Sequence, residues 1–496
     1  MRPGRQRKLV TTALLLGMVI AALEATAVST AMPTAIAELG GVARYSWVFS
    51  AYLLTSTTTV PLYGKLADLY GRRRIYMIAV GLFLLGSGLS GAAGSMEQLI
   101  AFRALQGLGA GGLMPIGNTI VGDIYTLEER GKMQGVFSGV WGLSSIVGPA
   151  VGGVITELLS WRWVFYINLP VGLASAVMLQ SQLTEQSARH EHRLDIPGTV
   201  SLTVSVTLLL IALLEGSQTW GWADPRTLGS LALATAGLVV FLRQEQRAAE
   251  PMLPLDLFRS RLIAVSSAGS AAIGTLLLAA SAYVPMFVQG VQGGSAVDAG
   301  MALAPMSVGW PIASALAGRF LLRTGYRRLV TLGGIVAFGG TLWLITVSPT
   351  TSMTTLMAMM ALTGAGLGCA ATPYLVAVQA AVPWERRGVA TSAIQFFRTI
   401  GGAIAVAVFG AMLNRALAPV LRQGVNVDAA LQPAQRARLA PGTLHAFTAA
   451  LDGGLHAVFV AFAGVAAVGL VVAWLFPRGS AREQAFQGAR EPAILH

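Results

Sequence analysis

Apolar positions along this chain fall into long, evenly spaced runs separated by short joints rich in Gly, Pro and basic residues. About 20 consecutive apolar residues are enough to cross the ~30 Å hydrocarbon layer as a helix. Read this way, the runs predict helices near 9–36, 45–67, 74–94, 97–122, 131–157, 163–183, 196–215 and 227–243. A second series follows near 262–290, 297–322, 328–347, 352–381, 388–415 and 446–476. The alternating, strand-length segments of an outer-membrane barrel do not occur. The fold class expected is therefore an all-α polytopic membrane protein with fourteen transmembrane helices.

Composition agrees with the pattern. Of 496 residues, 54% are hydrophobic and only 11% charged, whereas a soluble domain carries about a quarter charged residues. The net charge of +12 would suggest nucleic acid in a soluble protein. Here the basic residues gather in joints on one face: the N-terminal tail, Lys65/Arg72/Arg73/Arg74, Arg130/Lys132, Arg189/Arg193, Arg243/Arg247/Arg259/Arg261, Arg323/Arg327/Arg328 and Arg386/Arg387. Arg478 and Arg482 of the C-terminal tail join them. Arg44, Arg162, Arg226 and the loop around Arg422–Arg438 are exceptions on the other face. The bias predicts both termini in the cytoplasm and no nucleic-acid partner.

Arg2, Arg5, Arg7 and Lys8 precede the first apolar stretch, and Ala25-Thr26-Ala27 has the small-residue pattern of a signal-peptide cleavage site. Glu24 and the continuation of the stretch to Pro33 argue instead for a first spanning helix. Cys369 is the single cysteine, so no intrachain disulfide and no zinc pattern is expected. His190 and His192 read as solvated. No Walker A sequence is present, and no metal or nucleophile constellation. Neither an enzyme nor a cofactor is expected.

An internal repeat organises the chain. Gly64-Lys-Leu-Ala-Asp68-Leu-Tyr-Gly71-Arg72-Arg73-Arg74 recurs as Gly318-Arg-Phe-Leu-Leu322-Arg-Thr-Gly325-Tyr-Arg-Arg328, at an offset of 254. Glu129-Arg130-Gly131 recurs as Arg386-Arg387-Gly388 and Gly107-Leu-Gly109 as Gly364-Ala-Gly366, both at 257. Helices 1–6 thus correspond in parallel to helices 9–14. The division expected is an N-terminal six-helix bundle (1–183), two inserted helices with linkers (184–260), a C-terminal six-helix bundle (261–478) and a tail (479–496). Such a plan places a substrate path between the two halves.

Here the sequence resembles a known family. Gly64–Arg74 resembles the loop-2/3 signature of the major facilitator superfamily, and Leu99–Gly109, with Arg103, its fourth-helix motif. Gly139–Gly153 is similar to the fifth-helix motif associated with antiporters. Leu23-Glu24-Ala-Thr-Ala-Val28 through Pro33, and Trp161-Arg-Trp-Val-Phe-Tyr-Ile-Asn168-Leu-Pro170-Val-Gly172, resemble the fourteen-helix drug:proton antiporters in particular. The resemblance covers the chain apart from the 417–444 loop and the tails. It implies a proton-driven exporter of hydrophobic compounds, cationic ones included, in a bacterial inner membrane, monomeric by family default. It also implies proton transfer for Arg103. One departure matters, since the family usually has Asp where Glu24 stands.

Glu24 lies mid-helix, where a charge costs about 2.5–3.5 kcal/mol on insertion scales and must face protein or water. It is the candidate proton-coupling and cation-binding carboxylate; the other reading is a structural carboxyl bonded to a neighbouring helix. Arg103 is the second coupling candidate, able to bias a nearby carboxylate toward ionisation, or else a structural cation. Gly64, Asp68, Gly71, Arg72, Arg73 and Asp123 are expected to form a cytoplasmic gate. In it Asp68 would cap a helix N-terminus or pair with a cation, and Arg72 would pair with Asp123. Gly148, Pro149, Gly152 and Gly153 read as bend and packing residues. By type and depth, Trp47, Tyr52, Asn118, Trp141, Tyr283, Trp310, Tyr374, Gln395 and Arg398 join Glu24 as substrate-binding candidates. Packing or interfacial anchoring would also account for most of them. A lipid or amphiphile as cargo, moved near helices 7 and 8, and a receptor built on the same fold remain open beside drug export.

Overall fold

The computed structural model describes residues 3–40, 44–184, 195–248, 250–421, 440–481 and 483–484. The described residues form α1 (Pro3–Leu39), α2 (Tyr45–Tyr70), α3 (Arg72–Gly91), α4 (Met96–Ile124), α5 (Leu127–Leu158) and α6 (Trp163–Gln182, interrupted at Ile167). They continue as α7 (Ile196–Gln218), α8 (Pro225–Glu245), α9 (Arg261–Met286) and α10 (Ala296–Thr324). The series closes with α11 (Tyr326–Leu344), α12 (Met353–Ala381), α13 (Arg387–Leu421) and α14 (Pro441–Trp474). The chain is all-helical. Arg189, Arg193, His190, His192, Arg482 and the 422–439 part of the long loop lie outside the described residues.

Twelve of these segments are long and apolar enough to cross a membrane; α2 and α11 are the other two. Each has a chemical reason. The Thr55-Ser-Thr-Thr-Thr59 run lowers the hydropathy of α2, but the hydroxyls of Thr55, Ser56, Thr58 and Thr59 are spent on the helix itself, as in Thr55 to Ala51 O (2.9 Å) and Thr59 to Thr55 O (2.8 Å). α11 is short and opens on Tyr326-Arg327-Arg328.

Helix starts are written in local chemistry. Ser95, Asp195, Asp224, Ser295 and Ser352 each accept a backbone N–H of the first turn, while Thr126 and Glu129 close a capping box on α5. Three helices overrun the sequence-based limits by about five residues or more: α1 begins at Pro3, α13 continues to Leu421 and α14 begins at Pro441. Hydropathy marks the apolar stretch, whereas backbone hydrogen bonding continues through polar flanks beyond it.

The repeat has a spatial counterpart. In the first half α4 packs on α2 and α3, α1 on α5 and α6, and α3 on α6. The second half repeats every one of these pairings: α12 with α10 and α11, α9 with α13 and α14, α11 with α14. The halves meet along two seams, α2 against α13 and α5 against α10, which the repeat also relates. Glycines sit at both crossings. A Cβ on Gly131 would lie 2.6 Å from Gly318 Cα, and one on Gly388 2.7 Å from Gly64 O, so any side chain there forces the halves apart.

α7 and α8 pair with each other. α7 lies along α2 and α13, where Leu202, Val206 and Leu210 join a cluster with Val60 and Phe241. The pair that is inserted mid-chain therefore sits beside one seam. Leu143, Val154, Val177, Val200, Leu233, Val240, Ile312, Leu332 and Val468 are among the large apolar side chains exposed on the outside. Such a belt fits hydrocarbon and not water.

Candidate functional site

Five helices converge on Glu24, which is 2% exposed. One oxygen accepts a hydrogen bond from Arg103 Nη1, closing a buried ion pair between α1 and α4. The other accepts from Asn168 Nδ2 of α6 at 2.6 Å. Asn168 Nδ2 also reaches Ser87 Oγ of α3 at 3.0 Å, and that hydroxyl donates to Phe165 O at 2.9 Å. Arg103 donates further to Gln106 Oε1 (2.8 Å) and Val48 O (3.2 Å), and its guanidinium lies 4.2 Å from the centre of the Tyr52 ring. Gly107 makes this approach of α2 feasible, since a Cβ there would stand 2.5 Å from Tyr52 O. Gln106 Nε2 and Asn168 Oδ1 are buried without a hydrogen-bond partner.

Burying two charges is costly unless they compensate one another and their remaining donors are met. Glu24 and Arg103 compensate one another, and Val48 O, Gln106 and Asn168 meet further hydrogen-bonding groups of the pair. Adding a proton to Glu24 would remove one charge and leave Arg103 with Gln106, Val48 and Tyr52. The charge of the centre therefore depends on whether Glu24 holds a proton.

At the end that carries Arg72–Arg74, a second network joins the halves. Asp68 pairs with Arg72 at 2.7 Å and accepts the backbone N–H groups of Gly388 (2.9 Å) and Val389 (2.8 Å) at the start of α13. Arg72 also reaches Asp123 (3.1 Å) and Trp384 O (2.6 Å), and stacks 3.9 Å from the Trp384 ring centre. From the opposite half, Arg387 pairs with Asp123 and donates to Gly122 O at 3.0 Å. Gln379 Nε2 donates to Asn118 O at 2.9 Å, and Ser138 and Ser314 share a hydrogen bond of 3.2 Å across the other seam. Arg73 donates to Leu183 O at 3.0 Å, within the first half. The bonds between α2–α5 and the α10–α13 side fasten the halves together at this end.

The remaining candidates separate by location. Gly148 and Gly152 press on Thr26 and Thr30 of α1, directly beyond Glu24; Gly153 has nothing near its missing Cβ, and Pro149 is exposed. Tyr52 belongs to the Glu24 centre. Asn118 accepts Gln134 Nε2 at 3.1 Å and belongs to the interhelical network. Tyr283 donates to Val406 O at 2.8 Å and packs edge-on to Phe409, while Tyr374 is buried 6.0 Å from Phe476. Both tyrosines serve the core of the second half, because a residue's type and depth say nothing about the direction its ring faces. Trp310 packs against the same core and Trp141 against that of the first half. Trp47 is half-buried near the start of α2. Gln395 accepts a 2.5 Å hydrogen bond from Arg398, and both are half-buried on α13.

Sequence reasoning missed Asn168, Gln106, Arg387, Gln379 and Trp384 as site residues. Asn168 and Gln106 sat inside quoted motifs, and Arg387 inside the repeat. Intramembrane polar residues are expensive and therefore informative, which was the available signal. The Trp161-Arg162 pair has its own role: Trp161 Nε1 and Arg162 both donate to Glu38 (2.7 and 2.6 Å), tying α1 to α6 at the far end.

The family model of the Major Facilitator Superfamily matches residues 14–406. The chain is 39% identical to Multidrug transporter protein MdtP of Bacillus subtilis (strain 168), over 83% of this chain and 77% of that one. It is 36% identical to Multidrug resistance protein 3 of the same organism, over 81% and 79%. Among solved structures, the proton:xylose symporter XylE superposes with a TM-score of 0.65 at 14% identity, over 95% of this chain and 96% of that one.

Proposed function

This chain belongs to the Major Facilitator Superfamily, a family of multi-pass membrane transporters and not of enzymes, and on that premise we propose that it is a proton-coupled exporter of hydrophobic small molecules. The observation that carries the reading is the Glu24–Arg103 pair, a protonatable carboxylate buried among five helices with a cation as its exchangeable partner. The names of the relatives support efflux of drug-like compounds as the cargo.

All fourteen helices cross the bilayer in this reading, with both termini and the Arg72–Arg74 turn in the cytoplasm. The alternative of a twelve-span chain would leave α2 and α11 out of the membrane. Both are packed inside their bundles, which favours fourteen. The latch of Asp68, Arg72, Asp123 and Arg387 then holds the cytoplasmic end closed. A proton arriving from outside meets Glu24, releases Arg103 and lowers the cost of rearranging α1 and α4. Release of the latch opens the cytoplasmic end, and cargo exchange there returns the proton inward. A potential of 100 mV supplies about 2.3 kcal/mol for each charge moved.

The test uses proteoliposomes with an imposed pH gradient and an internal pH dye, comparing the native protein with Glu24→Gln across lipophilic cations and neutral amphiphiles. Compound-driven proton flux present in the native protein and absent in the variant supports antiport through Glu24. Transfer of labelled lipid with no proton flux for any compound would replace drug export by lipid export.

A further inference from the structure

The two copies of the repeated turn have different fates. In the first, Asp68 and Asp123 absorb Arg72. In the second, Leu322 stands at the position of Asp68, Tyr326 at that of Arg72, and Ala380 at that of Asp123. The acids are gone, yet Arg327 and Arg328 remain, with Arg323 one turn earlier. Among the described residues, none of these three, nor Arg478, forms an ion pair, and all four line one cavity of about 770 Å³ between the ends of α10, α11 and α14. That volume lies within the roughly 300–1,000 Å³ range of ligand sites.

Among the described residues no acid lines the cavity; Thr324, Thr331 and Ser480 add hydroxyls. Glu483 stands just beyond and accepts the Ser480 N–H at 2.9 Å. The remaining wall is apolar and open: Leu332, Ile335 and Trp474 are 51%, 53% and 68% exposed. Unpaired arginines above an exposed apolar wall, at the end of membrane-spanning helices, match a phosphate head group above acyl chains. Arginine's planar fork suits phosphate.

We infer that this cavity is a binding site for an anionic phospholipid of the leaflet facing the basic end, held by Arg323, Arg327, Arg328 and Arg478 with its chains along Leu332, Ile335 and Trp474. The occupant is a resident lipid and not cargo, and it braces α11 and α14 beside the α5–α10 seam. A soluble phosphate ester would have no use for the apolar wall.

The test is the melting temperature of the full-length protein in neutral detergent as phosphatidylglycerol or phosphatidylcholine is added. Phosphatidylglycerol should stabilise selectively. Replacing Arg323, Arg327 and Arg328 together with Gln should weaken its half-saturating concentration by on the order of a hundredfold, roughly fivefold per arginine. Arg74→Gln, in the first copy, should leave that concentration unchanged, and the triple Lys variant should retain most of the effect. If the triple Gln variant does not fold, Arg327→Gln alone carries the test, with the fivefold change expected. Equal stabilisation by phosphatidylcholine, an unchanged response of the Gln variants, or equal saturation by glycerol 3-phosphate would overturn the proposal. So would a large gain in lipid affinity on removing residues 485–496, which would make the tail the occupant.

Discussion

Glu24 and Arg103 neutralise one another where neither charge would be tolerated alone, and each is held by further donors or acceptors from separate helices. Removing one member should therefore harm stability more than removing both. Glu24→Gln strands the Arg103 charge and is expected to cost about 3–5 kcal/mol, the range for breaking a buried pair. The double variant with Arg103→Gln should recover most of that loss in a melting experiment while remaining inactive in gradient-driven transport. Recovery of transport in the double variant would show that the pair is structural. Asp68→Asn keeps one acceptor for the start of α13 but removes the charge facing Arg72. A loss of about 1.5–3 kcal/mol is expected, the value of hydrogen bonds to charged groups. It should come with a wider spin-label distance between the ends of α2 and α13.

Among elements, the seams carry the contacts that the proposed rocking of the halves would have to break. α5 and α10 touch through Gly131 and Gly318, Gly135 and Ala315, and Gly142 against Ser307, so bare backbone forms much of this surface. Substituting Val for Gly318 should hold the Arg-rich end open. The measurement is modification of Ser138→Cys, in a Cys369→Ser background, by an impermeant thiol reagent supplied on that side. A several-fold faster reaction is expected than in the same protein carrying Gly318, and an unchanged rate would mean the closed seam does not depend on this crossing. Gly148 and Gly152 make a different link, bringing α5 onto the turn of α1 beyond Glu24. In the proposed mechanism, protonation at Glu24 and motion of α5 would thus share one stretch of helix.

At the scale of the molecule, parallel halves with matching internal contacts and two repeat-related seams are the architecture of a rocking transporter. The present arrangement is fastened at the basic end, and the proposed orientation, with that end in the cytoplasm, rests on the charge bias. Ser95→Cys and Arg74→Cys, each in the Cys369→Ser background, test it in intact cells. An impermeant maleimide should label the first and spare the second; the reverse pattern would invert the topology and the direction of the proposed proton path.

Helix positions and the parallel repeat were legible in the chain, because burial in hydrocarbon imposes long apolar runs and a polar residue inside one stands out against them. Glu24 and Arg103 were visible for that reason, and Asp68 and Arg72 through the repeated turn that holds them. The Arg72–Asp123 contact could be anticipated because both residues lie at helix ends on the same face. What only the tertiary structure decided is partnership: that Glu24 faces Arg103 and Asn168, that Asp123 is shared with Arg387 264 residues away, and that Tyr283 and Tyr374 turn into the core. Hydropathy depends on one residue at a time and survives in the sequence. The direction in which a side chain leaves its helix, and what stands opposite, depends on how α-helices rotate and cross, and that is set by packing among all of them at once.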